Sequence, residues 1–231
     1  MSAMKPFPTV SPSSLLDFEG CPKRFYEVRV LKKYPFQVTE AITYGNTVHE
    51  QLEKYVRFDT ELPEHLAYVA PIIDGLRSLG YTLYAELECA IREDWTPTTW
   101  WDKSAWLRGK ADLIGIKGDE AVVWDWKTGK KKNDPTQLQM YGAILHTVLG
   151  LSKVSSAYIW LKEKDNTTLT VDNTNVDEIK QDIISRIARM KEAYERQEFP
   201  ARTSPLCGWC PALDTCRAAV YYKVQRDRKR R

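Results

Sequence analysis

The sequence predicts an α/β protein, a sheet layered with helices, on three observations. A helical opening region gives way near residue 83 to period-two strand patterns, and strand and helix patterns then alternate through the middle of the chain. One hairpin in that middle region is apolar on both faces, which places it inside a layered fold and not on a surface. A chain of 231 residues can form one domain with a sizeable core, so a single domain over residues 1–231 is expected. Hydrophobic residues at 43% and charged residues at 28% exclude a disordered or collagen-like chain. No apolar run approaches the roughly 18 residues of a membrane span, and the first twenty residues lack a signal-peptide pattern. A cytoplasmic protein with no membrane partner is therefore expected.

Taken in order, Ser11-Pro12-Ser13-Ser14 reads as a capped helix start, and Pro22 after Cys21 suits the first turn of a second helix. Further helices are expected from about Asn46 to Phe58 and from about Pro63 to Ser78, the latter ended by Gly80. From Leu83, apolar residues alternate with Tyr84, Glu86, Glu88 and Arg92, which is a strand with Cys89 on its apolar face. A tryptophan-rich loop, Asp94 to Ser104, precedes strands near Trp106 to Ile116 and Glu120 to Lys127. Most of Trp95, Trp100, Trp101 and Trp106 are expected to pack or anchor the loop, with stacking on unpaired bases as their other use. A helix from Asp134-Pro135 to about Leu149, strands near Val154 to Lys162 and Thr168 to Asp172, and a helix from about Val176 to Gln197 complete the chain. Net charge is only +3, yet positive charge gathers at Lys130 to Lys132 and in the run from Arg226 to Arg231, which reads equally as a solvated tail or as a phosphate contact.

The hairpin carries the chemistry. Glycine first in a Gly118-Asp119 turn suits a two-residue type II′ connection, and counting outward sets Ile114 against Val123 and Asp112 against Asp125. Opposed residues share a sheet face with Cβ atoms roughly 4.5 to 5.5 Å apart, and Lys127 shares that face by alternation. Two uncompensated aspartates at that separation repel, and a Mg²⁺ or Mn²⁺ ion between them removes the conflict. Such a cation activates water for attack on a phosphodiester, with Lys127 orienting that water or taking its proton.

These residues also carry a resemblance. Gly109-Lys110-Ala111-Asp112 followed by Val123-Trp124-Asp125-Trp126-Lys127-Thr128-Gly129 resembles the RecB-like branch of the PD-(D/E)XK nucleases, with alanine at position 111 where the superfamily nominally has proline. The resemblance implies a restriction-endonuclease-like core, a mixed β-sheet flanked by helices. It implies metal ligation by Asp112, Asp125 and the Trp126 backbone carbonyl, and a catalytic Lys127. Gly45-x-x-x-His49 resembles the branch's helical histidine motif, which makes His49 a metal ligand. Gln137-x-x-x-Tyr141 resembles its Q-x-x-x-Y signature, which implies contacts to DNA. Glu86 is the candidate for a supporting acid on the preceding strand, ahead of Glu88.

Five cysteines in a chain expected in a reducing compartment read as core residues, reactive thiols or metal ligands, not disulfides. Cys207-x2-Cys210-x5-Cys216 is too compact for buried hydrophobes, and Cys21, on a helical N-terminal segment, would complete a set of four. Four thiolates suit tetrahedral zinc or a [4Fe-4S] cluster, and ligand count does not separate them. Here too the pattern resembles the iron-sulfur RecB-like nucleases, AddB-type subunits and the CRISPR-associated Cas-four exonucleases, which implies a structural [4Fe-4S] cluster over zinc. Cys89 is left as a core residue. The expected function is a metal-dependent DNA nuclease, an exonuclease or end-processing enzyme of phage recombination or CRISPR adaptation, with a protein partner from such a pathway. The rival expectation is a DNA-binding or assembly subunit that keeps the fold without cutting.

Overall fold

The structure, a computed structural model, describes residues 7–35 and 37–228. Of the C-terminal basic run, residues 229–231 and the side chains of Arg226 and Arg228 lie outside the description. In chain order the elements are α1 (Pro12–Gly20), α2 (Pro22–Phe25) with a π-helical turn at Tyr26–Val30, α3 (Glu40–Phe58), a 3₁₀ turn at Glu64–Val69 and α4 (Ala70–Ser78). There follow β1 (Thr82–Ile91), β2 (Pro97–Thr98), β3 (Leu107–Lys117), β4 (Glu120–Lys127), α5 (Thr136–Leu149), β5 (Lys153–Trp160), β6 (Asp165–Asp172), α6 (Val176–Arg196), two short 3₁₀ turns and α7 (Arg217–Arg228).

Local chemistry accounts for the boundaries. Ser11 caps α1 by accepting the Ser14 N–H, and Ser14 Oγ accepts the Ser11 N–H at 2.7 Å, so two free helix-end donors are satisfied together. Helix α3 begins six residues earlier than the sequence suggests, because the Thr39 hydroxyl caps it by accepting the Ile42 N–H at 3.3 Å. Gly45 therefore lies inside the helix. The single helix expected from Pro63 to Ser78 is split into a 3₁₀ turn and α4. Pro71 is the cause, since it has no N–H to continue the ladder and sits in the first turn of α4.

Among the described residues the strands form one sheet in the order β2-β1-β3-β4-β5-β6. All neighbours are antiparallel except β4 and β5, which run parallel and are joined through α5. The sheet is mixed, as expected. The Gly118-Asp119 turn is present, with Gly118 at φ 59° and only that one of its two central residues left-handed, as a type II′ turn requires.

The chain forms two compact units. One spans Val38–Ile183 and holds the sheet; the other combines residues 1–37 and 184–231. In the sheet unit, Leu113 and Trp126 pack against Val48 and Leu52 of α3 and Ile73 and Leu76 of α4 on one face. On the opposite face, Ile114, Ala121 and Val123 pack against Tyr141 and Leu145 of α5. Each fully buried aliphatic side chain contributes about 1.5 to 3 kcal/mol, so these two layers fix which strand residues reach the helices. Within the other unit Arg186 grips Glu19 through two hydrogen bonds of 2.8 and 2.6 Å, and Tyr26 stacks on Phe199 at 3.9 Å between centroids. Those contacts tie its N-terminal and C-terminal parts together. Among the described residues no helix is long and apolar enough to cross a membrane.

Candidate active site

The site begins where two strands lose their alternation together. On β3, Ile114 faces α5 and Leu113 faces α3, but Ala111 faces α5 again. On β1, Leu83 packs on the α3 side, whereas Leu87 and Cys89 pack on the α5 side. Regular pairing of β1 with β3 is interrupted only between Ala85↔Leu113 and Leu87↔Ala111, where Glu86 and Asp112 stand opposite each other. Glu86 takes a left-handed φ of 55°, a conformation that costs a non-glycine residue roughly 1 kcal/mol or more. Strands normally spread their side chains over both faces; this slip turns two acids out of the pleat at one point.

The β3–β4 ladder holds the expected register through Leu113↔Trp124 and stops there. Asp112 and Asp125, the next positions in that register, are therefore not ladder partners as the hairpin count expects. The Asp112 carboxylate takes over the bonding: its Oδ2 accepts the Trp126 N–H at 2.7 Å, and its Oδ1 lies 3.2 Å from His49 Nδ1. His49 reaches this point because α3 passes close to the end of β4. A Cβ at Gly45, one turn before His49, would stand only 3.3 Å from Thr128 Oγ1. Burial alone would lower the His49 imidazole, but the Asp112 hydrogen bond and the charges of Asp112, Asp125 and Glu86 hold it above its ordinary value.

Asp125 is 3% exposed. Its Oδ2 pairs with the Lys127 ammonium, and its Oδ1 accepts a 2.6 Å hydrogen bond from Gln137 Nε2. Lys127 also donates to Gln137 Oε1 at 2.8 Å and rests over the Tyr158 ring, 4.9 Å from its centroid. Gln137 thus holds acid and lysine at once. Gln137 and Tyr141 are expected to contact DNA; Tyr141 is only 6% exposed, with its hydroxyl donating to the Lys110 carbonyl at 2.7 Å and accepting from Gln137 at 2.9 Å. Its ring fills the space a Cβ at Gly109 would need, 2.5 Å from Cε1. The glycine of one motif and the tyrosine of the other are a packed pair. Tyr158 was not singled out from sequence, because the parallel register that sets it against Asp125 depends on a crossover with no turn to count from.

Among the described residues, one set of three or more potential ligands lies with its ligand atoms within 4.8 Å of one another: His49, Glu86 and Asp112. Two carboxylates and an imidazole are a donor set that suits a divalent cation such as Mn²⁺ or Mg²⁺. Glu86, paired with Lys110, belongs to this set, whereas Glu88 does not. Asp125 stands beside it, held by Lys127 and Gln137, and Trp126 joins through its N–H. Burial first, and the Asp112 charge second, push the Asp125 carboxyl up to about 7.

In the other unit, Cys21, Cys207, Cys210 and Cys216 line one small cavity together with Arg24 and Arg202. Cys21 Sγ accepts the N–H groups of Arg24 and Arg202 at 3.5 and 3.4 Å, and Cys207 Sγ accepts that of Ser204 at 3.4 Å. Cys89 lies apart in the sheet unit, where burial raises its thiol to about 11, which suits an inert core residue.

The family model of the PD-(D/E)XK nuclease superfamily matches residues 9–217. No curated protein matches the chain. A candidate exonuclease of Eubacterium rectale shares the fold at 13% identity and a TM-score of 0.50, covering 92% of this chain and 87% of its own. The structure of SSO0001 superposes at 16% identity and a TM-score of 0.46, with 94% and 90% covered. LHK-Exo of Laribacter hongkongensis, solved in complex with dAMP, does so at 13% identity and 0.43, with 82% and 91% covered.

The strained charge of Asp125 has a measurable consequence. Its folded value lies above the ordinary 3.8, so the folded state binds the proton more tightly and metal-free stability falls as pH rises from about 4 to about 7. Asp125→Asn removes that loss and also reduces the slope of the same sign that His49 contributes above pH 6.5, because the Asp125 charge is one of those that raise it. Urea denaturation in EDTA between about pH 5 and 8 should show wild type losing about 1 to 4 kcal/mol relative to the variant; a constant difference would contradict the placement of that charge.

Proposed function

Because the chain belongs to the PD-(D/E)XK nuclease superfamily, we propose that it is a metal-dependent deoxyribonuclease, an exonuclease or DNA end-processing enzyme, that hydrolyses phosphodiester bonds with Mg²⁺ or Mn²⁺. The observation that carries this reading is the convergence of His49, Glu86 and Asp112 on one point beside the Asp125–Lys127–Gln137 group. His49, Glu86, Asp112, Asp125 and the Trp126 carbonyl would hold the cation. When bound, it supplies Lewis acidity toward the phosphoryl group and lowers the pKa of a water.

The chain's own groups do the rest. Lys127 presents its ammonium to the charge that develops on the phosphoryl oxygens, and holds a proton at Nζ beside the attacking water. Gln137 and Tyr158 fix that ammonium, so little reorganisation is needed during reaction. Of the Gln137–Tyr141 pair, Gln137 is the half-buried member with surface left to meet a strand. Tyr141 acts from below, by anchoring Gln137 and the Gly109–Lys110 backbone.

The cysteine cavity would hold a [4Fe-4S] cluster as a structural staple between the N-terminal and C-terminal parts of its unit. The four cysteines line one cavity, and the preference for a cluster over zinc comes from the resemblance of their spacing to the iron-sulfur RecB-like nucleases. The assignment to phage recombination or CRISPR adaptation rests on the resemblance of the cysteine spacing alone.

Two measurements test these readings. Labelled single-stranded and double-stranded DNA should be cut by wild type with Mg²⁺ or Mn²⁺, and Asp112→Ala and Lys127→Ala should each lose at least about a hundredfold. Equal activity in all three proteins contradicts the mechanism. Anaerobically purified protein should be brown with about four irons per chain, and Cys210→Ala should lose that colour and unfold at lower temperature; colourless protein holding only zinc contradicts the cluster.

A further inference from the structure

The loop between β1 and β3 holds four of the chain's eight tryptophans, and three of the four have partners. Trp95 meets Trp106 edge-on at 6.0 Å and lies beneath the Lys180 ammonium at 5.0 Å, and the Arg108 guanidinium covers Trp100 at 4.7 Å. Trp101 is 82% exposed and makes no ring contact among the described residues. It is held out by a loop that a dense set of hydrogen bonds organises.

That order comes from Asp102, the next residue. Its carboxylate accepts from the Thr98 hydroxyl at 2.5 Å, from the Ser104 N–H and hydroxyl at 2.8 Å each, and from the Arg92 guanidinium at 3.0 Å. The Thr98 and Ser104 bonds chiefly, with the Arg92 bond adding to them, hold the Asp102 carboxyl well below the usual carboxylate range. Arg92 also donates to the Pro97 carbonyl at 2.7 Å, and the Asp102 N–H bonds the Thr99 carbonyl at 3.2 Å. The backbone on both sides of Trp101 is thereby fixed before anything binds, which lowers the entropy lost on binding.

Strand β3 leads directly from this loop to the site. It begins at Leu107 and reaches Asp112 five residues later, about 17 Å at the usual strand rise. Lys103 on the loop and Arg108 on the strand place two cations along that path, Lys103 being exposed, while Lys110 beyond them is paired with Glu86.

We propose that Trp101 is a stacking platform for an unpaired DNA base, with Lys103 and Arg108 tracking the phosphates between that base and the cut. This rests on the nuclease reading of the Asp112 site. An indole face engages a base only when the base is not sandwiched inside a duplex, so the platform selects a single strand or a frayed end. The cations supply the charge complement that an apolar protein partner would not need.

The test is binding of fluorescein-labelled oligo(dT) and of a blunt duplex of the same length, by anisotropy in EDTA, where no cutting occurs. Trp101→Ala should weaken oligo(dT) binding about five- to hundredfold, Trp101→Phe should restore most of it, and duplex binding should change far less. Equal oligo(dT) affinity in wild type and Trp101→Ala, or an equal loss on the duplex, overturns the proposal. So does a sedimentation shift from dimer to monomer in Trp101→Ala, which would assign the indole to a second copy of the chain. Hydrolysis of bis(p-nitrophenyl) phosphate by wild type with Mn²⁺ reports on the nuclease reading separately, so either can fail without the other.

Discussion

Asp112 holds together three parts of the molecule with one carboxylate. One oxygen takes the Trp126 N–H of the neighbouring strand, at the step where the backbone ladder stops, and the other faces His49 on α3. Without the slip of β1 and β3 at Glu86 and Asp112 this carboxylate would point into a helix-covered face, as Ile114 does two residues later. The local irregularity, including the left-handed φ at Glu86, converts a regular sheet into a point of convergence. Such strain persists only where surrounding packing over-determines it. Here the buried layers against α3, α4 and α5 on either side do so.

The same arrangement concentrates negative charge where little water reaches. Lys127, Gln137 and Lys110 offset it in part, each pinned to a named acid. Removing one partner from a buried charge pair is strongly destabilising, whereas the intact group adds little stability. On the proposed function the group is an arrangement held ready for a cation, and it is not a source of fold stability. Gly109 and Gly45 belong to it as well, because each lets a second element approach the acids within the reach of a side chain.

Much of this was legible in the chain. The Gly118-Asp119 turn fixes a two-residue hairpin, and from it the register of β3 and β4 follows as far as Trp124. Gln137 and Tyr141, four apart, predict a shared helix face, and they share it. The slip at Glu86 was not legible: period-two patterning assumes that alternation continues, and a left-handed glutamate leaves no mark in composition. Pro71 was visible, yet its splitting of the second long helix depends on the 3₁₀ turn before it. For the cysteines, spacing identified the C-terminal three, while the arrival of Cys21 at their cavity depends on contacts such as Arg202 N–H to Cys21 Sγ that only the folded chain reveals.

The claim on which the functional account stands is that Glu86 and Asp112, turned out of the pleat together, are ligands of one divalent cation with His49. Titration of Mn²⁺ into the metal-free protein, followed by electron paramagnetic resonance, measures this without any substrate. Wild type should bind one Mn²⁺ per sheet unit, and Glu86→Gln should weaken that binding at least about tenfold, as loss of a direct ligand requires. Unchanged Mn²⁺ affinity in Glu86→Gln would contradict it.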